Sequence, residues 1–193
     1  MVRRKLVRHF HEPGHLHELT FSCYRRRPLL TNDDWRGWLA RSLETAGKEE
    51  GFQLVGFVFM PEHVHLLTYP LDEKPNFAGY LARIKQPFSK QIKERLLIEN
   101  QSRLLQELTI RERPGKHCFR FWQEGPGYDR NVFSPTAVET SIRYIHENPV
   151  RRELCLQTVD WRWSSARYYL LDPPRQQFPE LPFIHGPPPG MLD

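Results

Sequence analysis

The segment MPEHVHLL places His63 and His65 two residues apart in a run that reads as a β-strand. Side chains alternate faces along a strand, so the two imidazoles leave the same face a few ångströms apart. Two neutral imidazoles so placed suit one divalent cation. Glu62 and Val64 would leave the opposite face of a regular strand, which makes Glu62 a poor ligand. Spacing alone leaves open a second meaning, a pair of partly buried structural histidines.

Tyr144, in SIRYIHENP, is the second group with chemistry to offer. Residues four apart share a helix face, so Tyr144 and Asn148 can approach one point, with Glu147 nearby. His146 is turned about 200° away from Tyr144. A phenol beside an amide or carboxylate, facing a two-histidine metal site, can be the nucleophile of a phosphoryl transfer. It must first lose a proton whose ordinary pKa is about 10. Asn148 precedes a proline, which disfavours helical angles and predicts a helix stop at Asn148–Pro149. Taken alone, Tyr144 also fits a core tyrosine beside an Asn-Pro stop.

The elements that must position these groups are readable. Residues 17–24 alternate Leu19, Phe21 and Cys23 on one face, as a strand does. Thr31 or Asn32 can cap a helix with Trp35, Trp38, Leu39, Leu43 and Ala46 at helical spacing, ended by Gly47 or Gly51. Residues 52–60 are almost continuously apolar, as in a central strand, and 63–69 follow as its neighbour. Asn76 opens a second helix, which Pro87 should kink or interrupt. Residues 118–123 read as the next short strand, and Ser134–Pro135 opens the helix of Tyr144. The order βαββαβ plus a C-terminal helix predicts an α+β, ferredoxin-like fold.

The chain has 193 residues with 28 Lys plus Arg against 23 Asp plus Glu, a net charge of +5 that points only weakly to acidic partners. Its hydrophobic content of 39% is too high for a disordered chain. Cys23, Cys118 and Cys155 are far apart and form no CxxC pair, which argues against a disulfide framework or a cysteine zinc site. No apolar run approaches the roughly 18 residues of a membrane helix, and MVRRKLVRHF lacks the apolar stretch of a signal peptide. A cytoplasmic, nucleoid-associated protein with no membrane partner is expected. Seven of the 17 prolines lie after residue 170, so 171–193 is expected to be an extended or disordered Pro-rich extension of a domain spanning 1–170.

These pieces together resemble a known family, the single-tyrosine HUH transposases, and among them the REP-associated tyrosine transposases. The matching segments are LTFSCYRRRPLL, GFVFMPEHVHLLTYP, FSKQIKERL, RFWQEGPGYDRNVF, YIHENPVRREL and WRWSSARYY, in the family's order over about 15–170. The resemblance implies that His63 and His65 hold Mg²⁺ or Mn²⁺, that Asn148 completes the metal site, and that Tyr144 is the nucleophile. It implies attack on single-stranded DNA beside the hairpins of repeated extragenic palindromes, through a 5′-phosphotyrosine, by a monomer or homodimer. Glu62 stands where relatives often have Asn, Arg162 where proline is common, and the proline-rich end has no counterpart.

Basic residues must hold the phosphates. Three clusters are candidates: Arg3, Arg4, Lys5 and Arg8; Arg25, Arg26 and Arg27; and Arg83, Lys85, Lys90 and Lys93 on the second helix. Arg25–Arg27 is favoured because its turn lies close to the sheet in the inferred topology. Trp122 and Gln123 fit either base stacking or core packing. Two other classes remain: a non-catalytic ferredoxin-like nucleic-acid-binding module, and a metal-dependent nuclease that uses water.

Overall fold

A computed structural model describes residues 11–125 and 127–192; the cluster Arg3, Arg4, Lys5 and Arg8 lies outside them. The chain runs β1 (Leu16–Ser22), α1 (Asp33–Glu50), β2 (Phe52–Phe59), β3 (His63–Pro70), α2 (Phe77–Ile98), α3 (Ser102–Leu108), β4 (Thr109–Arg113), β5 (Lys116–Phe119), β6 (Tyr128–Val132), α4 (Pro135–Arg151) and α5 (Ala166–Leu170). Four strands form one antiparallel sheet in the order β2-β3-β1-β6. The βαβ unit β1-α1-β2 is split by β3, the arrangement expected of the ferredoxin-like class.

Alternation along the strands sorts the side chains into two layers. Val64 and Leu66 of β3 join Leu19 and Phe21 of β1 in one core with α1 and α2. Leu67 and Leu16 point the other way, into a second core with Val55, Val58 and Val132 beneath Val138, Ile142 and Ile145 of α4. His63 and His65 share the parity of Leu67. The strand period that hides Val64 and Leu66 under α1 and α2 therefore delivers both histidines to the α4 side.

Several local expectations change. The fourth strand of the sheet is β6, not residues 118–123. Lys116–Phe119 pairs with Thr109–Arg113 in a separate hairpin, and Trp122 makes only an isolated bridge to Cys23. Gly127 lets β6 reach the sheet: with φ of +84° it passes so close to the Thr20 carbonyl that a β-carbon would collide with it.

Neither helix stops at its proline. Pro87 sits inside α2 and Pro149 inside α4. Ile84, Phe88 and Ile92 flank Pro87 and are all buried, so packing outweighs the lost backbone bond. Pro149 falls in the last turn of α4, where little helix remains to disrupt.

Residues 171–192 contain no helix or strand, in line with their prolines, yet they are not detached. Leu181 and Ile184 are buried in the α1–α2 core. His185 donates its backbone N–H to the Leu54 carbonyl and accepts the Leu54 N–H on Nδ1. Phe57 and Phe59 are likewise bonded to Ser165 and Trp163. The outer edge of β2 is thus covered. Among the described residues no helix is long and apolar enough to cross a membrane.

Candidate active site

At the open end of the α4 layer the side chains turn from apolar to polar. His63 and His65 are both buried, and their Nε2 atoms stand 3.0 Å apart. The other ring nitrogen of each has its own partner. His63 Nδ1 lies 3.1 Å from Glu62 Oε1, and His65 Nδ1 lies 2.8 Å from Thr20 Oγ1. A carboxylate only accepts, so the His63 proton belongs on Nδ1 and its Nε2 lone pair faces His65. The Thr20 hydroxyl can accept from His65 in the same way, which lets both Nε2 lone pairs converge. Such partners fix tautomer and ring orientation wherever histidines bind metal.

Electrostatics keep both rings neutral. Burial pushes the His65 imidazole down to about 3, helped by His63 and Arg26. Burial also lowers His63, against the pull of Glu62, and Arg26 and Arg152 lower it further. A neutral imidazole is the ligand form.

The pair passes a simple test of fit to a cation. Two donors 3.0 Å apart match neighbouring corners of an octahedron with ligand distances of about 2.1 Å, the Mg²⁺ value. Among the described residues no three His, Cys, Asp or Glu side chains form a metal-binding group. Further ligands must come from an amide, water or substrate oxygen, as suits a cation that shares phosphates.

Tyr144 stands beside this pair. Its ring meets His65 edge to face with centroids 5.5 Å apart, and it is 38% exposed. Arg151 lies over the same ring at 5.5 Å and bonds Glu147 at 2.5 Å. Asn148 is buried one turn later, where its Nδ2 donates to the Tyr144 carbonyl at 2.8 Å. That leaves Oδ1 as the atom it can offer. His146 is turned into the core, with Nε2 2.8 Å from Ser165 Oγ. Cys23, whose backbone N–H donates to the Glu62 carbonyl at 2.9 Å, is no competing nucleophile, because burial pushes its thiol up to about 12.

The basic clusters fare differently. Arg25 and Arg26 are exposed and occupy left-handed backbone, with φ of 54° and 52°. Gln123 steadies this turn by accepting the Arg25 N–H at 3.1 Å. Arg26 is close enough to lower both histidines. Arg27 is held by Glu107 at 2.5 Å. The α2 residues lie across the sheet from Tyr144: Lys90 and Lys93 are exposed, Arg83 is bonded to Glu49 and Glu50, and Lys85 reaches inward over the Phe21 ring at 4.6 Å. Trp122 packs edge-on against Phe21 and Phe121, so it belongs to the core rather than to a stacking platform.

No protein-family model matches the chain. Over 115 residues it is 27% identical to a Haemophilus influenzae protein described as "Putative REP-associated tyrosine transposase", covering 59% of this chain and 58% of that one. The match thus spans less than two thirds of that relative. A solved structure of a REP-associated tyrosine transposase bound to a REP hairpin superimposes with a TM-score of 0.65. That alignment covers 91% of this chain and 95% of the other, at 18% identity. The chain resembles the REP-associated tyrosine transposases.

Motifs of that kind draw the eye to His63, His65 and Tyr144, and they pass over the groups around them. Glu62 precedes β3, so strand alternation does not turn it away; it backs His63 and is bonded to Arg152 at 3.0 Å. Thr20 was hidden because only strand register shows that it lies opposite His65. Glu18 and Arg130 are joined at 2.5 Å across β1 and β6, a pairing no local spacing announces. The one legible signal was Glu62 itself, a carboxylate adjoining a candidate ligand.

Proposed function

We propose that the chain is a metal-dependent enzyme that nicks and rejoins single-stranded DNA beside REP-type hairpins, with Tyr144 as nucleophile. The observation that carries this reading is the edge-to-face contact of Tyr144 with His65, 5.5 Å between centroids, beside the converging Nε2 atoms. The hairpin is proposed from the likeness to the hairpin-bound structure.

The reaction is a transesterification. Tyr144 Oη forms a bond to the scissile phosphorus as the bond from phosphorus to the 3′-oxygen breaks. The phenolic proton is lost and the departing 3′-oxygen gains one. The products are a 5′-phosphotyrosine and a free 3′-hydroxyl, which can run the step backwards without ATP. His63 and His65, with Asn148 Oδ1, are the residues that would hold Mg²⁺ or Mn²⁺. Bound there, the cation supplies Lewis acidity and positive charge to the scissile phosphate.

The chain's own part is placement. Packing of α4 on the sheet holds Tyr144 against His65, while Glu62 and Thr20 orient the imidazoles. Arg25 and Arg26 put positive charge on the rim where the strand must pass, with Arg27 behind them braced by Glu107. Lys85, Lys90 and Lys93 lie on the far layer, so contact with them would require DNA that extends around the sheet.

The test is incubation of the full chain with a labelled REP-type hairpin bearing single-stranded flanks, with Mg²⁺ or Mn²⁺. A denaturation-resistant protein–DNA adduct is expected, lost in Tyr144→Phe and in His65→Ala. Cleavage that survives Tyr144→Phe overturns the reading in favour of hydrolysis by water. Binding without cleavage overturns it in favour of an inert DNA-binding module.

A further inference from the structure

The face of the sheet that carries His65 also forms a cleft of about 480 Å³ between β6 and α4, a size typical of small-ligand sites. Its walls are Glu18, Thr20, His65, Tyr128, Arg130 and Tyr144. Tyr128 and Arg130 alternate with Asp129, which turns to the other layer and bonds His17 at 2.8 Å. Both therefore share the side of Glu18 and His65, and Val132, next in the period, is buried under α4. At the open end Tyr128 is left 55% exposed.

We infer that this cleft seats one unpaired nucleotide adjoining the scissile phosphate, with its base on the Tyr128 ring and its phosphate on Arg130. The inference rests on the nicking reading and adds to it the residues that grip the strand.

Arg130 is prepared for an anion. A single terminal nitrogen, Nη2, donates both to Glu18 Oε2 at 2.5 Å and to Ser141 Oγ at 2.8 Å. The two anchors are buried, one on β1 and one on α4. The guanidinium is thus anchored through Nη2, and the N–H groups of Nε and Nη1, which point in different directions, remain as single charge-assisted donors to phosphate oxygens. Among the described residues no aromatic ring packs on Tyr128, so its face is available. An exposed tyrosine beside an anchored arginine is the pairing of stacking surface and cation that binds single-stranded nucleic acid. A base inside a duplex presents only its edges, so the occupant must be unpaired.

The experiment measures affinity of the full chain for the flanked hairpin in EDTA, so that no nicking enters. Single abasic sites are moved along the flank, and each substrate is tested with Tyr128→Ala, Tyr128→Phe and Arg130→Lys. One abasic position is expected to weaken wild-type binding about tenfold, as does Tyr128→Ala on the intact flank. The two losses should not add, because both remove the same stack. Tyr128→Phe, which keeps the ring, should restore affinity, and Arg130→Lys should lose it at every flank position alike.

A loss in Tyr128→Ala that is the same with and without each base overturns the inference, as does no loss at all. Normal adduct formation in parallel Mn²⁺ reactions would then leave the nicking reading standing. Coupled losses in a chain that never forms an adduct would sustain the nucleotide site and sink the reading instead.

Discussion

Arg152, just past the helix that carries Tyr144, bonds Glu62 Oε1 at 3.0 Å, and that same oxygen faces His63 Nδ1 at 3.1 Å. The end of α4 is therefore tied to the start of β3 through the partner of a candidate metal ligand. Tyrosine and histidines belong to elements far apart in sequence, and this link fixes one against the other.

Loss of that link should weaken the metal site without removing a ligand. Arg152→Ala and Glu62→Gln are each expected to raise the Mn²⁺ concentration giving half-maximal nicking by about 10- to 100-fold. Hairpin affinity in EDTA should change much less. A metal titration of nicking checks this, and an unshifted midpoint in both variants would show that the chain Arg152–Glu62–His63 does not support the site.

Lys85 makes a stability prediction with a definite sign. Burial holds its ammonium down to about 8, so below that pH the folded protein carries a charge it has partly desolvated. Between about pH 8 and the ordinary lysine value near 10.4, the unfolded chain binds a proton that the folded chain has lost, and stability rises with pH. Lys85→Met should therefore stabilise the protein at pH 7 by at most about 3 kcal/mol, the Phe21 contact offsetting part of the gain. That advantage should vanish above about pH 10.5. Denaturant unfolding at pH 7 and pH 10.5 measures it; a gain that grows with pH would contradict the assignment.

The proline-rich end is expected to stabilise the fold. Removing residues 176–193 takes away Leu181 and Ile184 from the core and the His185 bonds from the β2 edge. The cost should be about 3 kcal/mol or more, from two buried aliphatic side chains. Calorimetry on the shortened chain would show a lower Tm; an unchanged Tm would mean that the segment contributes nothing.

The parts of the fold set by local period were legible: β1, β2, β3, α1, α2 and α4 all follow from alternation or helical spacing. So was the convergence of His63 and His65, since a two-residue spacing on a strand allows little else. What failed was non-local. Residues 118–123 and 128–132 are both strand-like, and only pairing with β1 makes the second one part of the sheet. Pro87 and Pro149 read as helix breaks because local propensity ignores the buried faces that carry α2 and α4 past them. The prolines after residue 170 exclude helix, so that segment reads as an extended or disordered extension; it does lack helix and strand, and an irregular segment can still bury Leu181 and Ile184. Thr20, Glu18 and Arg130 were silent because each acts through a partner on another element.

Tyr144 Oη is the proposed nucleophile toward phosphorus, and mapping the covalent adduct tests that directly. The full chain is reacted with the flanked hairpin and Mn²⁺, the DNA is trimmed with nuclease, and tryptic peptides are analysed by mass spectrometry. The peptide spanning 144–151, bounded by Arg143 and Arg151, is predicted to carry a 5′-phosphonucleotide on Tyr144. Attachment to Tyr128, the other exposed tyrosine of the cleft, or cut DNA with no modified peptide, would contradict it.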